Sequence, residues 1–86
     1  MYSETINFYT IKVDLHGMPV IQVKREMNQL LKTCPKHITE IEVIHGFTNG
    51  QAIQKYIRKE LSHPRIERKV FGMNNGATTL ILKKNC

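Results

Sequence analysis

The stretch Val13-Asp14-Leu15-His16-Gly17 constrains this chain more than any other. Apolar and polar residues alternate up to a His-Gly step, and a helical pattern follows at once. In a strand, successive side chains point to opposite faces. Val13 and Leu15 therefore share one face, and Asp14 and His16 share the other. The strand rise sets Asp14 and His16 about 6 to 7 Å apart at the backbone. That spacing admits a phosphate, a water or a metal ion between them, or direct contact when the side chains lean together. Asp14 is the only aspartate in the chain.

Periodicity places the remaining elements. Residues 1–9 read as a polar lead-in, residues 10–84 as one domain and residues 85–86 as a loose tail. Tyr9 to Leu15 is the first strand, and Gly17 permits the turn that follows. Pro19 suits a first helical turn, where its missing N–H costs nothing. Val20, Val23, Met27, Leu30, Leu31 and Cys34 repeat at helical spacing, which predicts a helix from Pro19 to Cys34, stopped by Pro35. Thr39 to Ile44 is the second strand and ends in His45-Gly46. A turn-rich loop, Phe47-Thr48-Asn49-Gly50, leads to a second helix from Gln51 to Leu61. Its stripe of Ala52, Ile53, Tyr56, Ile57 and Leu61 faces inward, with Lys55, Arg58 and Lys59 turned to solvent. Ile66 to Gly72 and Thr78 to Lys83 are strands joined by a hairpin turn at Met73-Asn74-Asn75-Gly76, where Asn and Gly tolerate positive φ.

The order β-α-β-α-β-β predicts an α/β (α+β) two-layer sandwich. Right-handed crossovers put both helices on one face of a mixed four-stranded sheet. The last strand is antiparallel, because a tight turn reverses the chain. Both halves then run strand, His-Gly, helix, and parallel strands bring the two His-Gly turns to one rim. Ligands of open α/β sheets bind at such carboxyl ends, where helix N-termini offer free N–H groups to anions.

Charge narrows the class of partner. The formal net charge is +6. Residues 1–54 carry five basic and five acidic side chains, so the whole excess falls in residues 55–86. A one-sided basic field favours a polyanion such as nucleic acid, although a merely soluble surface with surplus lysine has the same composition. No apolar run reaches membrane-spanning length. The first residues lack the basic and apolar regions of a signal peptide, so a cytoplasmic protein is expected. Cys34 and Cys86 have neither metal nor redox spacing; Cys34 reads as a buried thiol, and no disulfide is expected.

These motifs together resemble the Smr domain, the small MutS-related module. Its Leu-Asp-x-His motif matches Val13-Asp14-Leu15-His16, followed by Gly17. Its second motif, a His-Gly-x-Gly or Thr-Gly-x-Gly turn, corresponds to His45-Gly46-Phe47-Thr48-Asn49-Gly50. Asn74-Asn75-Gly76-Ala77-Thr78-Thr79-Leu80-Ile81-Leu82 resembles the family's final turn and strand. The second motif departs from the pattern: three residues separate its glycines, and none is Lys or Arg. The resemblance implies a fold like the C-terminal domain of translation initiation factor three, nucleic-acid binding and, in many members, endonuclease activity on DNA or RNA. No Gly-x-x-x-x-Gly-Lys-Ser/Thr loop is present, so the ATPase of MutS proteins is not part of this chain.

Phosphodiester hydrolysis needs an activated nucleophile, charge stabilisation and a proton for the leaving oxygen. Asp14, His16 and His45 are the catalytic candidates. In one scheme Asp14 and His16 hold a divalent cation, Mg or Mn, that activates a water. In a second, metal-free scheme His16 is a base oriented by Asp14, and His45 protonates the leaving oxygen. The second would work best on RNA, whose 2′-hydroxyl is a built-in nucleophile. The plain alternative is that Asp14 and His16 merely cap their turn. Gly17, Gly46 and Gly50 would let a phosphate approach, and Lys55, Arg58 and Lys59 would contact the nucleic-acid backbone. Phe47 would either stack on a base or pack on a helix. His37 and His63 read as solvated loop residues. Three functions stay open: an endonuclease with little sequence specificity, a non-catalytic nucleic-acid-binding module, and a module that docks on the ribosome or a repair protein.

Overall fold

The computed structural model describes residues 2–46, 51–71 and 76–83. Their elements are strand β1 (Tyr2–Asn7), strand β2 (Thr10–Asp14), helix α1 (Val20–Thr33), strand β3 (Glu40–Ile44), helix α2 (Gln51–Lys55), strand β4 (Ile66–Val70) and strand β5 (Ala77–Leu82). A wider π-helical turn, Tyr56–Glu60, continues α2. The strands form one sheet in the order β1-β2-β3-β5-β4.

The apolar alternation sets the layers. Val13, Leu15, Ile41, Val43, Leu80 and Leu82 are buried, while the residues between them are only partly covered. Val23, Met27 and Leu31 of α1 join them in one core with Ile53 and Ile57 of the second helical segment and Leu61 just after it, whereas Ala52, expected on that stripe, is exposed. Both helices therefore cover a single face of the sheet. β2 and β3 are parallel, with Asp14 opposite Ile44. β5 runs antiparallel to both β3 and β4, as the hairpin reading requires.

Pro19 holds the position before α1 in extended geometry, and its carbonyl accepts from Gln22 and Val23 N–H at 3.0 Å each. At the other end Cys34 N–H closes the last turn on the Leu30 carbonyl at 2.8 Å. The expected helix limits thus fall on the two flanking residues. Cys34 is a buried free thiol, as its place on the apolar stripe predicts.

The sheet has five strands where four were expected. The expected lead-in supplies the fifth: β1 pairs antiparallel with β2, Ser3 opposite Val13 and Thr5 opposite Ile11. Residues 3–7 stay exposed. An edge strand held by its ladder hydrogen bonds needs no buried face, so it leaves no apolar alternation in the sequence. The predicted turn residues 72–75 and the tail residues 84–86 lie outside the described residues.

Arg65, one of the basic side chains of residues 55–86, does not face solvent. It is only 6% exposed. Its guanidinium donates to the carbonyls of Cys34 at 2.5 Å, Pro35 at 2.6 Å and Ile38 at 3.1 Å, all around the C-terminal end of α1. Cys34 caps α1 and Pro35 and Ile38 follow it, so the guanidinium sits where a cation suits the negative end of the helix dipole. Among the described residues no helix is long and apolar enough to cross a membrane.

Candidate functional site

The rim where β2 and β3 end brings the two His-Gly turns together. Leu15 N–H donates to the Ile44 carbonyl at 2.7 Å, which extends the parallel ladder one step beyond Asp14. The chain then turns through Gly17, whose φ of 79° lies in the left-handed region that favours glycine.

Asp14 is fastened to His16 twice. Its Oδ1 accepts from the His16 backbone N–H at 3.1 Å and meets the His16 ring Nδ1 at 2.5 Å. The His16 side chain is 69% exposed and that of Asp14 33%. The hydrogen bond from His16 is the main cause that lowers the Asp14 pKa below the usual carboxylate value; burial opposes it in part. Asp14 is thus ionised at neutral pH and fixes the proton of His16 on Nδ1. Nε2 is then the basic nitrogen of the ring.

Gly46 approaches from the second turn at φ 86°, and a Cβ placed on it would lie 3.2 Å from the His16 Cβ. The lack of a side chain there lets the two turns touch.

His45 does not join the exposed pair. It is buried, with 0% exposure. Its Nδ1 lies 3.1 Å from the Gly46 carbonyl oxygen and its Nε2 lies 3.0 Å from Thr78 Oγ1. A carbonyl only accepts, so Nδ1 carries the proton, and Nε2 accepts from the threonine hydroxyl. Thr78 Oγ1 in turn accepts from Arg58 Nε at 2.8 Å. Burial lowers the His45 pKa from the ordinary 6.5, and the Arg58 charge adds to the effect while the Gly46 carbonyl opposes it. A neutral, sealed imidazole cannot deliver a proton to a leaving oxygen on the surface. The expected catalytic role of His45 is therefore replaced by a structural one, holding the second turn to β5.

Arg58 is corrected with it. Instead of projecting to solvent beside Lys55 and Lys59, it is half-buried. Its planar fork reaches Thr78 and the Ala77 carbonyl, the latter at 3.1 Å. The guanidinium also sits 4.6 Å above the ring of Phe71, which stays exposed. Val70 opposite Thr79 sends Phe71 towards the same rim as His45. Phe71 falls inside the strand expected from Ile66 to Gly72, whereas the observed strand ends at Val70 and leaves the ring exposed beyond it; strand periodicity alone does not single it out. Lys55 and Lys59 are exposed as expected. Phe47 and Gly50 lie outside the described residues.

Among the described residues no three His, Cys, Asp or Glu side chains gather where they would hold a metal ion. Asp14 and His16 are committed to each other, leaving one carboxylate and one imidazole for a hard cation that prefers several oxygen ligands. This donor set does not fit Mg or Mn.

Comparison with known proteins agrees with this fold. The family model for the Smr domain matches residues 13–82. Among solved structures, the chain is similar to the Smr domain of Thermus thermophilus MutS2, at 26% identity and a TM-score of 0.72, over 84% of this chain and 96% of that one. No curated protein sequence matches the chain.

Proposed function

The chain belongs to the Smr domain family, and from that membership we propose that it binds DNA or RNA in the cytoplasm and cleaves phosphodiester bonds with little sequence preference. The observation that carries this reading is the exposed Asp14–His16 pair at the rim. Nε2 of His16 takes a proton from a water or, on RNA, from the 2′-hydroxyl. The oxygen so freed attacks phosphorus, and the P–O bond to the departing oxygen breaks. Water supplies the proton for that oxygen. Asp14 holds the ring and stabilises the imidazolium that forms. Lys55 and Lys59 meet backbone phosphates, and the face of Phe71 away from Arg58 offers a surface for a base.

Labelled single- and double-stranded DNA and RNA, incubated with the protein across a salt series, test the proposal. His16→Ala is expected to slow cleavage by about 10²- to 10⁴-fold, the usual contribution of a general base, with binding largely retained. Asp14→Ala should lose less. Equal cleavage by the variants removes the pair from the mechanism. Salt-dependent binding without cleavage would identify a non-catalytic module, and no affinity for free nucleic acid would point to docking on the ribosome or a repair protein.

A further inference from the structure

A second surface lies at the opposite end of the sheet. Phe8 and Tyr9 link β1 to β2 where β2 begins, about 20 Å of strand away from His16. His37, in the connection from α1 to β3, reaches the same end because Thr39 and Glu40 N–H both donate to the Tyr9 carbonyl, at 2.8 and 3.2 Å. There the Phe8 ring stacks on His37 with centroids 4.4 Å apart and 25° between planes. It meets Tyr9 edge-on at 5.1 Å. These rings are not core: Phe8 is 64% and Tyr9 57% exposed, and His37 is exposed too.

The cations beside them are arranged to match. Lys36 lines two hollows at once. One, of about 460 Å³, it shares with Tyr9, His37 and Thr39. The other, of about 550 Å³, includes Lys32, His63, Arg65 and Lys83. Among the described residues no carboxylate lines either hollow.

We propose that this end of the molecule binds a single strand of nucleic acid, separately from the Asp14–His16 rim. A base stacks on the Phe8, His37 and Tyr9 platform, and the attached backbone runs past Lys36 into the hollow beside Lys32. Exposed rings next to cations match the alternation of base and phosphate, and an unpaired strand presents the π-faces that a duplex hides. The inference rests on the nucleic-acid reading of the family, but not on cleavage.

Fluorescence anisotropy with labelled single-stranded DNA and RNA of about a dozen nucleotides tests it, in a His16→Ala background that spares the probe. Adding Phe8→Ala should weaken single-strand binding about tenfold, with duplex affinity changed less than about twofold, and Phe8→Tyr should restore it. Lys32→Ala with Lys36→Ala should lower the slope of log K against log salt by about 1.4, about 0.7 for each phosphate that is no longer neutralised. Unchanged binding by Phe8→Ala, an unchanged salt slope, or no binding of either strand overturns the proposal. Cleavage assays on the parent chain read the rim independently: binding without cleavage would sink the nuclease reading and leave this surface standing.

Discussion

His16-Gly17 and His45-Gly46 leave neighbouring parallel strands at one rim, yet His16 stands in solvent beside a carboxylate and His45 is sealed against Thr78. In the sequence the two dipeptides align with each other. In the sheet they do not. Asp14 lies opposite Ile44, so Leu15 is level with His45 and His16 is level with Gly46. Leu15 and His45 are both fully buried, and Gly46 is the residue that crowds His16. A one-residue offset moves a side chain to the other face of a sheet. The same dipeptide therefore provides a reactive group on one strand and an internal brace on the next.

The largest expected effect on stability comes from the brace. His45→Ala leaves a cavity, strips Thr78 of its acceptor and leaves the Gly46 carbonyl without its donor. Denaturant titration should show a loss of about 3 kcal/mol. His16→Ala, at an exposed position, should cost about 0.5 kcal/mol or less. The reverse ranking would break the comparison. The glycines sharpen it further. Both have positive φ, 79° at Gly17 and 86° at Gly46, so alanine costs about 1 kcal/mol at either through backbone strain. At Gly17 a Cβ meets nothing within 4 Å, whereas at Gly46 it meets the His16 Cβ at 3.2 Å. Gly46→Ala should therefore cost about 2 kcal/mol. It should also slow cleavage by displacing His16, while Gly17→Ala is read by denaturation alone. Equal stability losses at the two positions would mean that the turns do not press together.

The contrast marks where the sequence could be read and where it could not. The strand-turn-helix order, the shared rim and the core positions follow from periods of two and 3.6, which Val13, Leu15, Val23, Met27 and Leu31 obey. Asp14 and His16 share a face by the same arithmetic. β1 was hidden because Ser3, Glu4 and Thr5 bury nothing. The inward turn of Arg58 and Arg65 was hidden because a charge count does not say which guanidinium folds back onto backbone carbonyls. The inward turn of His45 obeys the same arithmetic of period two, since it shares the face of buried Ile41 and Val43, while His16 falls opposite Val13 and Leu15; the matching His-Gly steps mask that difference.

The two turns should also titrate apart, and this is the smallest effect of the series. An unfolded histidine has a pKa near 6.5, and burial holds that of His45 lower. Between those values the unfolded chain binds more protons than the folded one, so stability falls as pH drops below about 6.5. Asp14 is also lowered, from 3.8, so its contribution is complete above the carboxylate range and is lost only as pH falls through its folded value. Melting temperatures between pH 7 and pH 5 should therefore decline in the parent chain and in Asp14→Ala. In His45→Gln, which keeps a polar side chain but does not titrate, the decline should be shallower. A slope that survives His45→Gln and disappears in Asp14→Ala would assign the proton to the wrong turn and undo the division between surface pair and buried brace.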